Sequence, residues 1–273
     1  MRQKPIVSVI IPYYNSSVSI IRALDSVINQ TFTDYEIILI DDGSKDNSHA
    51  IVDNYITSHK NISFLHYYQK NTGPSEARNI AAGKASGEYL AFLDSDDSWD
   101  SAKLQVQVRI MKESNIDLLG SNISIVRGNG KITRKYFVRN DLKYISFYRL
   151  LFKHYFCISS VIVKKRIFDN VGGFLEKHKY TEDTLLFSRI TRCYKAAVSN
   201  EFLANVYKPL FGAGGLSGNL RETNRYEMAV FKILKSENVN SYNKISTPLY
   251  YLVILFSFLK HLRRSVVTIF RKL

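Results

Sequence analysis

Four short apolar runs, each closing on polar residues and separated by amphipathic stretches, constrain the fold more than anything else in this chain. Ile6–Ile11 is rich in β-branched residues and stops at Pro12. Glu36–Ile40 stops at Asp41-Asp42, Ile62–His66 follows, and Tyr89–Leu93 stops at Asp94-Ser95-Asp96-Asp97. Such runs read as strands buried on both faces of a parallel sheet. Between them the spacing predicts helices. Ser16 or Ser17 is placed to cap the first, with Val18, Ile21, Leu24, Val27 and Ile28 on one face. Asp46 or Ser48 opens the second, with Ile51, Val52, Tyr55 and Ile56 inward. Gly73-Pro74-Ser75 opens the third, carrying Ala77, Ile80, Ala81 and Ala85, and Gly87 ends it. The alternation β-α-β-α-β-α-β implies an α/β sheet with right-handed crossovers. Ligands of such sheets bind beyond the carboxyl ends of the strands, where Pro12–Asn15, Asp41-Asp42 and Asp94–Asp97 converge. A dinucleotide-binding domain needs Gly-x-Gly-x-x-Gly after the first strand. This chain has Pro12-Tyr13-Tyr14-Asn15 there, which argues against NAD or FAD.

Three acids within four residues, at 94, 96 and 97, repel one another unless a cation sits among them. The alternative is a solvated turn or helix start. Charge is distributed unevenly along the 273 residues: positions 1–100 hold 8 Lys or Arg and 13 Asp or Glu, the remainder 30 and 11. A basic second half suits a phosphate-bearing partner or an anionic membrane surface. No zinc-finger spacing or RNA-binding aromatic signature points to nucleic acid. Cys157 and Cys193 lie among apolar and aromatic residues and read as buried thiols rather than a disulfide. The early apolar run is too short for a signal peptide.

The second half is less regular. Residues 101–114 read as a helix, Leu118–Val126 as a strand, and Gly128-Asn129-Gly130 as a hairpin turn. Ile158–Val163 reads as another strand. Thr181-Glu182-Asp183 opens a helix with Leu185, Leu186 and Ile190 inward, and a glycine-rich stretch, 211–218, precedes a helix at 221–235.

Val7–Asn15, Asp41–Ser48, Asn71–Asn79 and Phe92–Asp97, in that order, resemble the motifs of family 2 glycosyltransferases of the GT-A fold, and the likeness runs over roughly residues 5–235. The resemblance implies a Rossmann-like, mostly parallel sheet with flanking helices and an inverting, metal-dependent enzyme using a UDP-sugar. Asp94-Ser95-Asp96 matches the family's Asp-x-Asp. By that match Asp96 holds Mn²⁺ or Mg²⁺, while Asp94 bonds the ribose or shares the metal. Such ions prefer carboxylate and phosphate oxygens. Asp97 either orients its neighbours or caps a helix. Asp42 resembles the base-reading aspartate, with an Asx turn at Gly43 as the alternative. Pro12, Tyr14 and Asn15 would wall the nucleotide pocket, one of Tyr13 and Tyr14 being simple packing. Asn71, Gly73, Arg78 and Ser95 complete the expected donor contacts, Arg78 reaching the donor or pairing with a site acid. Asp183 resembles the general base and Glu182 its helper, the alternative being dipole-favoured acids at a helix start. Gly215, Ser217, Arg221 and Arg225 are candidate contacts to a donor or acceptor diphosphate, or a plain loop before a helix.

The division expected is a nucleotide-sugar half at 1–100, an acceptor and catalytic-base half of the same domain at 101–237, and a basic apolar tail at 238–273. The tail holds six Lys or Arg and no acid. Its longest apolar run, Leu249–Leu259, is shorter than the roughly 20 residues a spanning helix needs. It reads as an interfacial element, or else a helix packed on the core. A peripheral enzyme at the cytoplasmic face of the inner membrane, extending a polyprenyl-diphosphate-linked sugar as bacterial O-antigen and capsule enzymes do, fits this tail. Rival readings are a sugar-nucleotide nucleotidyltransferase, which needs a Gly-rich basic segment after the first strand, and a catalytically inactive nucleotide-sugar-binding protein.

Overall fold

The apolar runs become four parallel strands, β1 (Val7–Tyr13), β2 (Tyr35–Asp41), β3 (Phe64–Tyr68) and β4 (Tyr89–Phe92). They alternate with α1 (Ile20–Ile28), α2 (Ser48–Ser58) and α3 (Pro74–Lys84). The computed structural model describes residues 4–128, 130, 132–135, 137–176, 180–207, 220–237 and 243–270, with the backbone alone at 220 and 266–270. Strand β1 lies between β2 and β4, pairing Tyr13 with Asp41 and Ile10 with Phe92. That register brings the polar strand ends to one edge.

The rest of the chain extends the same sheet. In order come β5 (Ser98–Trp99), α4 (Lys103–Ser114), β6 (Leu118–Val126), β7 (Ile132–Lys135), β8 (Leu142–Tyr144), α5 (Phe147–Phe152), β9 (Ile162–Lys164), α6 (Lys165–Asn170), α7 (Glu182–Cys193), β10 (Ala196–Val206), α8 (Leu220–Ser236) and α9 (Thr247–Phe270). The strand order is β3-β2-β1-β4-β9-β6-β10-β5, with β7 on β6 and β8 on β10. Among the described residues, six of the ten strands run in one direction, so the mixed α/β sheet is mostly parallel. The exception at its centre is β9, wedged antiparallel between β4 and β6.

Several local readings change. Helix α1 starts only at Ile20, so Ile20, Ala23, Leu24 and Val27 face the sheet, while Val18 is 97% exposed in the preceding turn. Ser16 does not cap α1: its hydroxyl bonds Ser95 Oγ at 2.8 Å. Asp46 does serve the start of α2, accepting from the Ser48 amide at 3.0 Å. Ile158–Ser160 is a single 3-10 turn, and the strand begins at Ile162. Both cysteines are free thiols, and Cys193 is exposed at the end of α7 rather than buried.

A second apolar cluster, with Phe147, Leu151, Leu185, Val230, Phe231, Leu234 and Val253, joins α5, α7, α8 and α9. Helix α9 is anchored there by buried Glu227, which accepts from His261 Nε2 at 2.7 Å and from Lys260. Its other face exposes Tyr251, Leu252, Leu255, Phe258, Leu259 and Leu262. Among the described residues no helix is long and apolar enough to cross a membrane.

Burial would raise Glu227, but the hydrogen bond from His261 and the Lys260 charge override it and hold the carboxyl at about 2. A depressed folded-state pKa stabilises above the ordinary value of 4.5, and that contribution is lost as pH falls from there toward about 2. Glu227→Ala leaves the half-buried Lys260 ammonium and the buried His261 imidazole without this carboxylate. It is expected to lower stability by about 3 kcal/mol at neutral pH, read by thermal or urea melting.

Candidate active site

The floor of the site is the loop that leaves β4. Asp97 is buried, accepting from Ser159 Oγ at 2.6 Å and from the Tyr207 amide at 3.3 Å. It caps no helix, because the chain enters β5 immediately after it. Burial first, then the charges of Asp94 and Asp96, push its carboxyl up to about 8. Ligand atoms of Asp94, Asp96 and Asp97 lie within 4.8 Å of one another. Three carboxylates crowded this way hold too much negative charge for their surroundings. Hard oxygen donors at this spacing suit Mg²⁺ or Mn²⁺.

Arg78, on the buried face of α3, answers part of that charge. Its guanidinium holds Asp94 at 2.6 Å with one terminal nitrogen and Glu182 at 3.2 Å with the other. Burial alone would weaken its proton affinity, but Asp94 and Glu182 more than offset this and raise it. Phe174 lies 5.3 Å from the guanidinium carbon. The bridge brings the start of α7 to the end of β4. Asp183 is the next residue after Glu182, half-buried, its Oδ1 accepting from the Thr184 amide at 2.7 Å. Thr181 has a left-handed backbone, φ 57°, and makes no side-chain cap, while Glu182 and Asp183 occupy the first turn of α7, where the helix dipole favours acids. Burial, with the Asp183 and Asp94 charges, raises Glu182 to about 7 despite Arg78.

The opposite wall comes from the loops after β1 and β2. Pro12 is buried, Tyr13 packs inward at 2% exposure, and Tyr14 is 43% exposed at the edge. Asn15, at φ 50°, accepts from the Lys45 amide at 2.8 Å, stitching the two loops together. Asp42 accepts from the amides of Thr72 and Gly73, both at 2.9 Å, and from Gln69 Nε2 at 2.7 Å. The turn anticipated at Asp42 is made by its neighbour: Asp41 Oδ1 accepts from the Ser44 amide at 2.8 Å. A carboxylate offers about four acceptor positions, and these bonds fill three of those of buried Asp42. Gly43 has φ +75°, and a Cβ there would come within 2.8 Å of the Asn71 amide nitrogen. Only glycine allows these loops to meet.

Arg221 and Arg225 lie in the first turns of α8 and, with Glu222 and Asn224, line an open cleft of about 670 Å³. Arg225 also pairs with Glu222 at 3.7 Å. Gly215 and Ser217 lie outside the described residues. A second cleft of about 500 Å³, lined by Asp117, Arg192 and Lys195, sits where β6 and β10 begin, at the amino edge and away from these acids.

Sequence reasoning did not find Ser159, Arg22, Tyr207 or His154. Ser159 accepts from the Asp94 amide at 3.2 Å as well as donating to Asp97. Arg22 donates to the Asp96 carbonyl at 2.6 Å and stacks 3.7 Å over Tyr207. His154 Nε2 lies 3.4 Å from Thr184 Oγ1, beside Asp183. None carries a motif. Each becomes visible only when distant segments fold together.

The family model "Glycosyl transferase family 2" matches residues 8–172. An uncharacterized glycosyltransferase of Haemophilus influenzae is 31% identical over 218 residues, covering 74% of this chain and 86% of that protein. An Escherichia coli protein, UDP-Glc:alpha-D-GlcNAc-diphosphoundecaprenol beta-1,3-glucosyltransferase WfgD, is 36% identical over 124 residues, 45% of this chain and 48% of its own. The chain spans only 18 to 20% of three Rickettsia glycosyltransferases. The structure of Staphylococcus aureus TarS 1–349 in complex with UDP-GlcNAc superposes with a TM-score of 0.74 at 22% identity, covering 95% of this chain and 72% of that one.

Arg78→Ala leaves Asp94 and Glu182 without their cation. It is expected to lower melting stability by about 3 kcal/mol. Arg78→Lys should recover only part of this, since one ammonium cannot fork onto two carboxylates. Full recovery by lysine would show that charge alone, without geometry, sets the site.

Proposed function

Because this chain belongs to glycosyl transferase family 2, we propose that it moves a hexose or N-acetylhexosamine from a UDP-sugar to a polyprenyl-diphosphate-linked sugar, with inversion at the anomeric carbon. The observation that carries this reading is the Arg78 bridge from Asp94 to Glu182. It assembles one site from a nucleotide edge and a separate carboxylate.

In this reading residues 1–100 bind the donor. Asp42 accepts from the base, and Pro12, Tyr14 and Asn15 wall its pocket, with Asn71, Gly73 and Ser95 beside it. Asp96, with Asp94, would hold Mn²⁺ or Mg²⁺, and Asp97 behind them is buried as a support. That ion, when bound, offsets the charge that grows on the departing diphosphate. Arg78 keeps Asp94 aimed. Residues 101–237 supply the acceptor side. Asp183 takes the proton of the attacking hydroxyl, because a base must be a separate carboxylate not used for the metal. Glu182, held by Arg78, orients the acceptor or donor. One base and no second nucleophile imply direct displacement, so an α-linked donor yields a β-linked product.

The acceptor is a lipid diphosphate in surface polysaccharide synthesis such as O-antigen. This is supported by the name of the E. coli relative and by the basic residues Arg221 and Arg225 at the start of α8. Residues 238–273 would place the enzyme at the cytoplasmic face of the inner membrane. The exposed Leu252, Leu255, Phe258, Leu259 and Leu262 of α9, followed by Arg263 and Arg264, have the makeup of an interfacial helix.

With UDP-sugars and a GlcNAc- or GalNAc-diphosphate-lipid acceptor, UDP release should require a divalent cation and the product anomeric proton should report a β linkage by NMR. Asp183→Asn is expected to lower kcat by roughly 10²- to 10⁴-fold with an unchanged melting temperature. An α linkage, or full activity of Asp183→Asn, would sink the mechanism. Replacing Leu255 and Leu259 together by Ser should reduce sedimentation with anionic vesicles while sparing turnover of a soluble acceptor. Unchanged sedimentation would remove α9 as the anchor.

A further inference from the structure

A second cluster of metal-ligating side chains lies on the flank of the same sheet edge, outside the acids at 94–97. His49 and Asp53 stand one turn apart on α2, and His66 belongs to the edge strand β3. His66 Nδ1 is 2.9 Å from Asp53 Oδ1, and His49 Nε2 is 3.4 Å from Asp53 Oδ2. Two imidazole nitrogens therefore converge on the two oxygens of one carboxylate. Donor atoms of the three residues lie within 4.8 Å of one another.

The outer nitrogens are also engaged. His49 Nδ1 lies 2.9 Å from Oδ2 of Asp41, a fully buried carboxylate. His66 Nε2 lies 2.6 Å from the Tyr13 hydroxyl. Ligating imidazoles characteristically have the far nitrogen held this way, which fixes the tautomer and aims the lone pair. Proton accounting sharpens the point. A neutral His49 has one N–H but faces a carboxylate at each nitrogen. If it donates to Asp41, its Nε2 lone pair points at an anion. A cation between Nε2 and Asp53 removes that conflict. Nδ1–H then donates to Asp41, His66 Nε2–H donates to Tyr13, and both inner lone pairs bind the ion.

We propose that His49, Asp53 and His66 form a binding site for a borderline divalent cation of the Zn²⁺ class, separate from the carboxylates at Asp94 and Asp96. Two nitrogens and one carboxylate oxygen favour Zn²⁺ over Mg²⁺ or Mn²⁺, which prefer oxygen-rich sets. Metal–nitrogen bonds of about 2.0–2.1 Å place tetrahedral donors roughly 3.4 Å apart. His49 and Asp53, whose side chains are 46% and 55% exposed, have room to adjust from the present contacts of 3.4 and 2.9 Å to that spacing. That exposure leaves the fourth position to water. Such an ion would clamp α2 to β3 directly behind Tyr13 and Asp41, the residues that precede Tyr14 and Asp42.

The test uses the full chain, stripped with a chelator and titrated with Zn²⁺ by calorimetry in saturating Mg²⁺, with zinc counted by mass spectrometry. One Zn²⁺ per chain is expected. His49→Gln and His66→Gln should each weaken it more than about tenfold. Asp96→Asn should leave it unchanged. Zinc should raise the melting temperature of the native chain and of Asp96→Asn but not of the histidine variants. Circular dichroism without zinc checks their folding, and Asp53→Asn replaces any that unfolds. Absence of stoichiometric zinc at micromolar concentration, equal affinity in the ligand variants, or loss in Asp96→Asn would each overturn the site. None of these readouts depends on sugar transfer.

Discussion

One buried guanidinium holds the two halves of this site together. Arg78 reaches Asp94 at the end of β4 and Glu182 at the start of α7, residues 16 and 104 positions away. Burying a charge is unfavourable unless it is paired in good geometry, and here two carboxylates supply the pairing. The arrangement is mutual. The acids lose their neutralising partner without Arg78, and Arg78 has no reason to be buried without them. The start of α7, and with it Asp183, is thereby positioned against the carboxyl ends of the parallel strands.

The acids beyond that pair obey a simpler rule. Asp97 is the most enclosed of the three at the β4 end, and its neighbours' charges add to the burial penalty, so its proton is held up to about 8. Ser159 and Tyr207 give it hydrogen bonds from the second half of the chain. Asp94 and Asp96 are only half-buried, and Asp94 is held by Arg78. Burial therefore sets one of three chemically identical groups apart from the other two.

Much of the first half was legible because parallel strands buried on both faces need continuous apolar runs, and the runs end where the strands end. What misled was local phase. Val18 has the right character for a core face, but α1 begins two residues later and turns it outward. Ser16 has the chemistry of a cap and is instead drawn to Ser95, because the β1 and β4 loops pack side by side. Ile158–Val163 has strand composition throughout, yet its first part turns to set Ser159 beneath Asp94 and Asp97. In the last two cases a distant partner outweighed a preference of a few tenths of a kcal/mol.

By itself the sequence determined the alternation of strands and helices, the polar strand ends, and the motifs that mark the family, because these depend on periodicity and on residues near one another in the chain. Only the tertiary structure decided which groups meet. The choice of Tyr14 over Tyr13 for the outer edge follows from the side of the sheet each faces. The pairing of Arg78 with Glu182 and the convergence of His49, Asp53 and His66 follow from the order of strands. Electrostatics acts through distance in space, and separation along the chain does not encode it. For that reason the acids at 94–97 could be read as a ligand cluster from the sequence, while the cation that organises them could be placed only by the fold.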